Sequence, residues 1–201
     1  MKEITMKVYH FDELSTEAQE FVLDERQRTH DYSWEYENRK TLEAFEKLFD
    51  ISVDFVYGYE YNLDFIVKTN HDYDEDEFTG VRLYKYLQNN FVEYLREPKV
   101  RTNSNDTKKY YSKVFSQYKD CPLTGYYIDE DILDPIHDFL RYPDSKVTFV
   151  YLMEKCISNY LKVAQDDYES YYSKEYVSDD CNDRGSLFFE DGSVYDMDPM
   201  D

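Results

Sequence analysis

Glycine and proline are both scarce in this 201-residue chain, at five each. No Gly-rich phosphate loop, GxSxG elbow or dinucleotide fingerprint can be built from them, because those motifs spend glycines on close backbone approach. Cysteine is scarcer still. Cys121, Cys156 and Cys181 are odd in number, form no CxxC, and read as free thiols of a reducing compartment. The four histidines, His10, His30, His71 and His137, are scattered without HxxxH or HExxH spacing, so zinc chemistry has no ligand set. No run approaches the 18 or more apolar residues of a membrane span, and the first residues have no apolar signal-peptide segment. Positive charge is also lacking, with 23 Lys and Arg against 44 Asp and Glu and a formal net charge of −21. A surface of that sign excludes a protein that grips nucleic acid or anionic lipid with its whole body.

Despite the charge, the chain folds. Phe, Leu, Ile and Val make up 48 residues, about 24%, which is above the disordered range. The apolar inventory is unusual in containing 23 tyrosines. Their hydroxyls need partners or water, so many rings should sit half-buried with the tips outward, as rigid anchors for an interface do.

Residues 4–11 alternate weakly and predict a first strand. Ser15 then reads as the N-cap of a helix over 15–29. Along it Glu13, Glu17, Glu20 and Asp24 step by 4, 3 and 4, which places them in one stripe. A second helix is expected over 34–49. ISVDFVYGYEYNLDFIVKT, residues 51–69, alternates on both sides of Gly58 and predicts a β-hairpin. HDYDEDEF, residues 71–78, is a polar connection with five carboxylates (Asp72, Asp74, Glu75, Asp76 and Glu77). Further helices are expected over 80–95, 130–141 and about 148–172. Asp191-Gly192, between SLFFE and SVYDM, predicts a closing hairpin. The fold class is therefore α+β: about five helices packed on one antiparallel sheet built from the N-terminal strand and two hairpins. Residues 1–201 form a single acidic domain on this reading. Residues 96–119 are the exception in charge, holding seven Lys or Arg against Glu97 and Asp106, with TNSND (102–106) expected as a flexible loop within a basic insertion.

Several chemistries can be weighed on these residues. Asp72, Asp74 and Asp76 match positions 1, 3 and 5 of an EF-hand loop. Glu77 stands where glycine is required and Leu83 where a bidentate Glu is, so calcium binding of that kind is rejected. With 44 acids, carboxylate pairs arise by chance and say nothing for acid–base catalysis. Neither a metal nor an organic cofactor is expected, and the chain reads as a non-enzyme. The basic stretch with its tyrosines could hold a single nucleic-acid strand, but its lysines suit pairing with the protein's own acids or with a second copy. Direct nucleic-acid binding is not expected; a homo-oligomer is compatible with the same charges.

The acidic surface is what remains. Residues 165–201 alone carry twelve acids against Lys174 and Arg184. Such a field costs stability through self-repulsion, and one use for it is to steer the protein onto a basic partner. The bland alternative is a solvated face kept for solubility. The carboxylates expected to meet a partner are Glu13, Glu17, Glu20 and Asp24; Asp72, Asp74, Glu75, Asp76 and Glu77; and Asp166, Asp167, Glu169, Asp179, Asp180 and Asp183.

The segments VYHFDELSTEAQEFVLDE, YSWEYENRKTLEAF, GVRLYKYLQNN, LTGYYIDEDILDPIHDFL and FFEDGSVY together resemble a group of small acidic proteins of phages and prophages of low-GC Gram-positive bacteria, often labelled phage protein or antitoxin. The resemblance carries no catalytic residue. It implies a phage product acting in the host cytoplasm. By analogy with acidic phage proteins of this size, it implies an anti-CRISPR or anti-restriction inhibitor that blocks a basic host nuclease or CRISPR effector by imitating DNA. An antitoxin or regulator that binds one basic protein is the alternative.

Overall fold

Helices dominate because apolar residues recur at helical spacing between usable caps. In a computed structural model of the chain, which describes residues 5–57, 63–70, 77–103, 106–111 and 119–195, six α-helices are α1 Thr16–Thr29, α2 Glu35–Phe49, α3 Gly80–Leu95, α4 Ile128–Arg141, α5 Phe149–Tyr171 and α6 Lys174–Arg184. Ser15 caps α1 as expected, accepting from the Ala18 N–H at 3.2 Å. Four strands form two separate antiparallel pairs, β1 Ile51–Tyr57 with β2 Leu63–Thr69 and β3 Lys99–Asn103 with β4 Asp106–Tyr110. The class is mixed α+β.

The helices expected over 15–29, 34–49, 80–95, 130–141 and 148–172 are present within a residue or two, as is the first hairpin, in the register Val53↔Val67 and Phe55↔Phe65. The single sheet is not. Among the described residues of the strand expected over 4–11, none lies in a strand: Tyr9 makes a single bridge, to Phe188, and a one-turn 3-10 helix begins at Phe11. The local cause is Glu13, whose carboxylate accepts the His10 N–H at 2.9 Å and favours a helical turn over a weakly alternating strand. The closing hairpin shrinks to one bridge, Phe188↔Val194, although its turn at Asp191-Gly192 is where the sequence places it. Of the residues expected as a loop over 102–106, Thr102 and Asn103 instead end β3 and Asp106 opens β4, while 104 and 105 lie outside the described residues. The threonines, Val100 and Tyr110 supply β propensity that outweighs the polar turn residues.

The sixth helix, α6, is absent from the sequence expectation. Its apolar face is only Val177 and Cys181, one turn apart, too little for a periodic signal. Its ends are nevertheless written clearly. Ser173 accepts from Tyr176 N–H at 3.3 Å, and Gly185 closes it in the left-handed conformation at φ 66°.

The chain divides into two compact units. A central unit comprises Trp34–Ala164, and a terminal unit joins Met1–Ser33 to Gln165–Asp201, the boundary falling within α5. The central core gathers Phe45 and Phe49 of α2, Ile51 and Val67 of the first hairpin, Leu83, Leu87 and Leu95 of α3, Ile132, Leu133 and Ile136 of α4, and Phe149, Met153 and Ile157 of α5. Twenty buried residues in one cluster account for the stability of this unit at about 1.5–3 kcal/mol for each large side chain, before conformational entropy is set against it. The terminal core is smaller: Phe11, Leu14, Ala18, Val22, Val177, Cys181 and Phe188.

Candidate functional site

The terminal unit is assembled from the two ends of the sequence, so two acidic segments more than 130 residues apart become one surface. It contains 20 acids against six bases, whereas the central unit contains 24 against 17. About two thirds of the net charge thus sits on about one third of the residues. Small size makes the unit depend on polar links. Asp12 accepts from Ser178 Oγ at 2.7 Å and Asn182 Nδ2 at 3.3 Å, which ties the 3-10 turn to α6. Those two hydrogen bonds hold its carboxyl below the ordinary value. Gln19 Nε2 donates to the Phe11 carbonyl at 3.0 Å inside the core.

On α1 the buried positions Ala18, Gln19, Val22 and Arg26 lie on one side. Residues 17, 20 and 24 fall within about 60° of one another at 100° per residue, on the opposite side. Glu17, Glu20 and Asp24 are accordingly exposed, and among the described residues none forms an ion pair. Glu13 does not extend this row, because it belongs to the 3-10 turn and caps His10. Asp179 and Asp183 likewise project away from Val177 and Cys181 on α6 and are exposed.

Asp180 departs from the expected role. Its Oδ2 receives Arg26 Nη1 at 2.6 Å and its Oδ1 receives Arg184 Nε at 3.0 Å. Burial alone would raise its carboxyl, but the hydrogen bonds and charges of the two guanidiniums outweigh it and the net shift is downward. Asp180 is therefore an internal anchor and unsuited to meeting a partner. Asp166 and Glu169 are exposed near the end of α5, Glu169 accepting from Gln165 Nε2 at 2.8 Å. Asp167 is half-buried, and burial followed by the Asp166 charge pushes its carboxyl up. Asp72, Asp74, Glu75 and Asp76 lie outside the described residues. Glu77 is exposed but belongs to the central unit.

Arg26 is the residue that sequence reasoning missed. Its side chain is 9% exposed, and its guanidinium lies over the rings of Tyr171 at 5.3 Å and Tyr176 at 5.7 Å. Around them Tyr32 contacts Tyr168 and Tyr171 edge-on at 5.4 Å, and Tyr172 packs on Tyr168 at 4.9 Å. Tyr172 donates to the His30 carbonyl at 2.8 Å, and Ser33 Oγ lies 3.0 Å from the Tyr171 hydroxyl. Tyr32, Tyr172 and Tyr176 are half-buried, as composition leads one to expect, whereas Tyr171 is buried and Tyr168 exposed. Their spacing at 168, 171, 172 and 176 was the available signal.

Beside Arg26 opens a cavity of about 430 Å³, walled by Phe21, Val22, Val177, Phe188 and Val194. The central unit has a larger groove of about 720 Å³ between α4 and α5, where Asp134, Asp138 and Asp144 alternate with Lys155 and Lys162. Among the described residues no three His, Cys, Asp or Glu side chains are grouped so as to hold a metal ion. None of the described helices is long and apolar enough to cross a membrane. No family model, curated protein or solved structure matches the chain.

Proposed function

We propose that the protein is a non-catalytic inhibitor, of phage origin, whose terminal unit occupies the phosphate-reading groove of a host nucleic-acid-processing enzyme, such as a CRISPR effector or a restriction nuclease. The observation that carries this reading is the concentration of charge: 20 acids against six bases in the unit made from the two chain ends. Among the described residues the paired bases of that unit meet two acids, Arg26 and Arg184 sharing Asp180 and Arg28 pairing with Glu25. The outward rows of α1 and α6 are left to act at a distance. Held on helices, such carboxylates cost little entropy on binding and can stand in for a phosphate row. Exposed and half-buried rings next to them, Phe21, Tyr168 and Tyr172, would supply anchors that charge alone cannot.

The test is capture on the immobilised full chain from a lysate of a host with CRISPR and restriction systems, eluting with duplex DNA. Elution by DNA, with affinity falling on the order of 10³-fold between 50 and 200 mM salt for about six phosphate-like contacts, is expected. A partner retained in the presence of DNA and indifferent to salt would overturn mimicry and leave an ordinary antitoxin-like interface.

A further inference from the structure

We propose that the outer edge of β2 is a self-association site, pairing antiparallel with β2 of a second copy of this chain about a two-fold axis at Ile66. The Asn70 N–H donates to the Asp50 carbonyl at 3.0 Å, which fixes the parity of the hairpin ladder. Asp54 and Ile66 are then a hydrogen-bonded pair, whereas Val53↔Val67 and Phe55↔Phe65 turn their main-chain groups outward. On the β1 side this edge is sealed at Val53, whose N–H donates to Glu46 Oε1 of α2 at 2.7 Å. On the β2 side it is open. Among the described residues no third strand joins the pair, and the outward groups of Val67 and the Phe65 carbonyl meet no partner. The Phe65 N–H is held by the carboxylate of its neighbour Asp64 at 2.9 Å.

An open edge accepts any strand that its side chains do not repel. Those of β2 select a copy of themselves. Antiparallel pairing centred on Ile66 sets Asp64 opposite the second copy's Lys68, and Lys68 opposite its Asp64. The same register sets the two Ile66 side by side. On the other face Phe65 lies opposite Val67, an aromatic–β-branched pair. Parity agrees, because Phe65 and Val67 supply the outward main-chain groups while Ile66 falls at the close, non-hydrogen-bonded position. Centring the pair on Phe65 or Val67 instead would set Ile66 opposite Asp64 or Lys68 and lose both ion pairs.

The side chains are available for this contact. Asp64, Ile66 and Lys68 are all exposed, and Ile66 is an apolar residue left 53% in water. Val56, 45% exposed and diagonal to it, widens the patch. Lys68 also pairs with Asp54 of its own chain, but its side chain is 60% exposed and its ammonium has three donors, enough for both carboxylates. Asp64 releases the Phe65 N–H, which the second copy's Val67 carbonyl then accepts. A net charge of −21 on each copy opposes their approach, and one edge strand is a small interface, so the dissociation constant should be on the order of 10 µM.

The experiment is sedimentation equilibrium of the full chain over concentrations from about 5 to about 500 µM, where mass action moves such a pair from monomer to dimer. The apparent mass should rise from 24.4 kDa towards twice that value. Asp64→Lys sets lysine opposite lysine and Lys68→Asp sets aspartate opposite aspartate, so each alone should weaken association at least tenfold with an unchanged circular dichroism spectrum. Mixed in equal amounts, the two variants regain complementary pairs and should associate as the parent does. Ile66→Cys should form a disulfide-linked dimer on mild oxidation, beyond any formed by the parent, because the two-fold brings the thiols together. A parent that stays monomeric throughout would overturn the proposal and leave the edge to a strand of another protein. Single variants that associate like the parent, a mixture that stays monomeric, or an Ile66→Cys chain that cross-links no more than the parent would each overturn it as well. The contact uses residues of the central unit only, and no host enzyme or DNA enters the measurement, so its outcome and that of the capture experiment are independent.

Discussion

The hydroxyl of Thr41 on α2 donates to Asp129 Oδ1 at the start of α4 across 2.7 Å, and both residues are fully buried. Asp129 accepts four more hydrogen bonds, from Thr124 Oγ1 at 2.7 Å and from the N–H groups of Leu123, Thr124 and Gly125 at 2.8, 2.6 and 3.1 Å. A carboxylate removed from water persists only when its lone pairs are satisfied this fully. It closes the turn before α4 and joins that turn to α2.

Asp129→Ala should therefore be among the most damaging single changes in the central unit. It strands three N–H donors and two hydroxyls, and about 3–5 kcal/mol of stability should be lost. The single tryptophan, Trp34, lies in this unit, so its fluorescence during urea unfolding measures the loss directly. Thr41→Val, which removes one of five partners, should cost about 1–2 kcal/mol.

His137 on α4 makes the central unit acid-sensitive. Burial, and secondarily the Arg141 charge, lower its pKa from 6.5 to about 4. Between those values the unfolded chain binds a proton that the folded one refuses, so stability rises with pH through that window and is lost as pH falls through it. The full effect is about 3 kcal/mol. Urea midpoints followed by Trp34 at pH 7, 5.5 and 4 should fall progressively, and His137→Leu should flatten that part of the profile.

Gly192 should tolerate no side chain. Its φ is 88°, and a Cβ there would lie 2.6 Å from the Ala18 carbonyl oxygen. Left-handed strain and the clash together should cost about 2–4 kcal/mol in Gly192→Ala. Amide hydrogen exchange should show faster opening of α1 and α6, with the central unit unchanged.

Glu17→Gln, Glu20→Gln and Asp24→Asn combined separate binding from folding. The three side chains are exposed and repel one another at i, i+3 and i, i+4 spacing. Thermal stability should stay within about 0.5 kcal/mol of the parent. Capture of the DNA-displaceable partner should weaken at least tenfold in a salt-dependent way. Unchanged capture would place the contact elsewhere.

Local periodicity and capping made five helices and the first hairpin legible: Ser15 before α1, and Val53, Phe55, Phe65 and Val67 alternating about a turn, are properties of short stretches of chain. The basic ribbon was misread because Thr102 and Asn103 suit a loop or a strand equally well, and pairing decided between them. Helix α6 escaped notice because two apolar residues make no pattern, although Ser173 and Gly185 mark its ends. By itself the sequence determined the excess of carboxylates, the abundance of tyrosine and the direction in which Glu17, Glu20 and Asp24 point on α1. Only tertiary structure decided that the first 33 residues and the last 37 share one unit, that Asp180 is consumed by Arg26 and Arg184, and that tyrosines gather around Arg26. The reason is physical: helical spacing acts over a few residues, whereas a unit closed by Tyr9 pairing with Phe188 depends on contacts between segments that only a folded chain brings together.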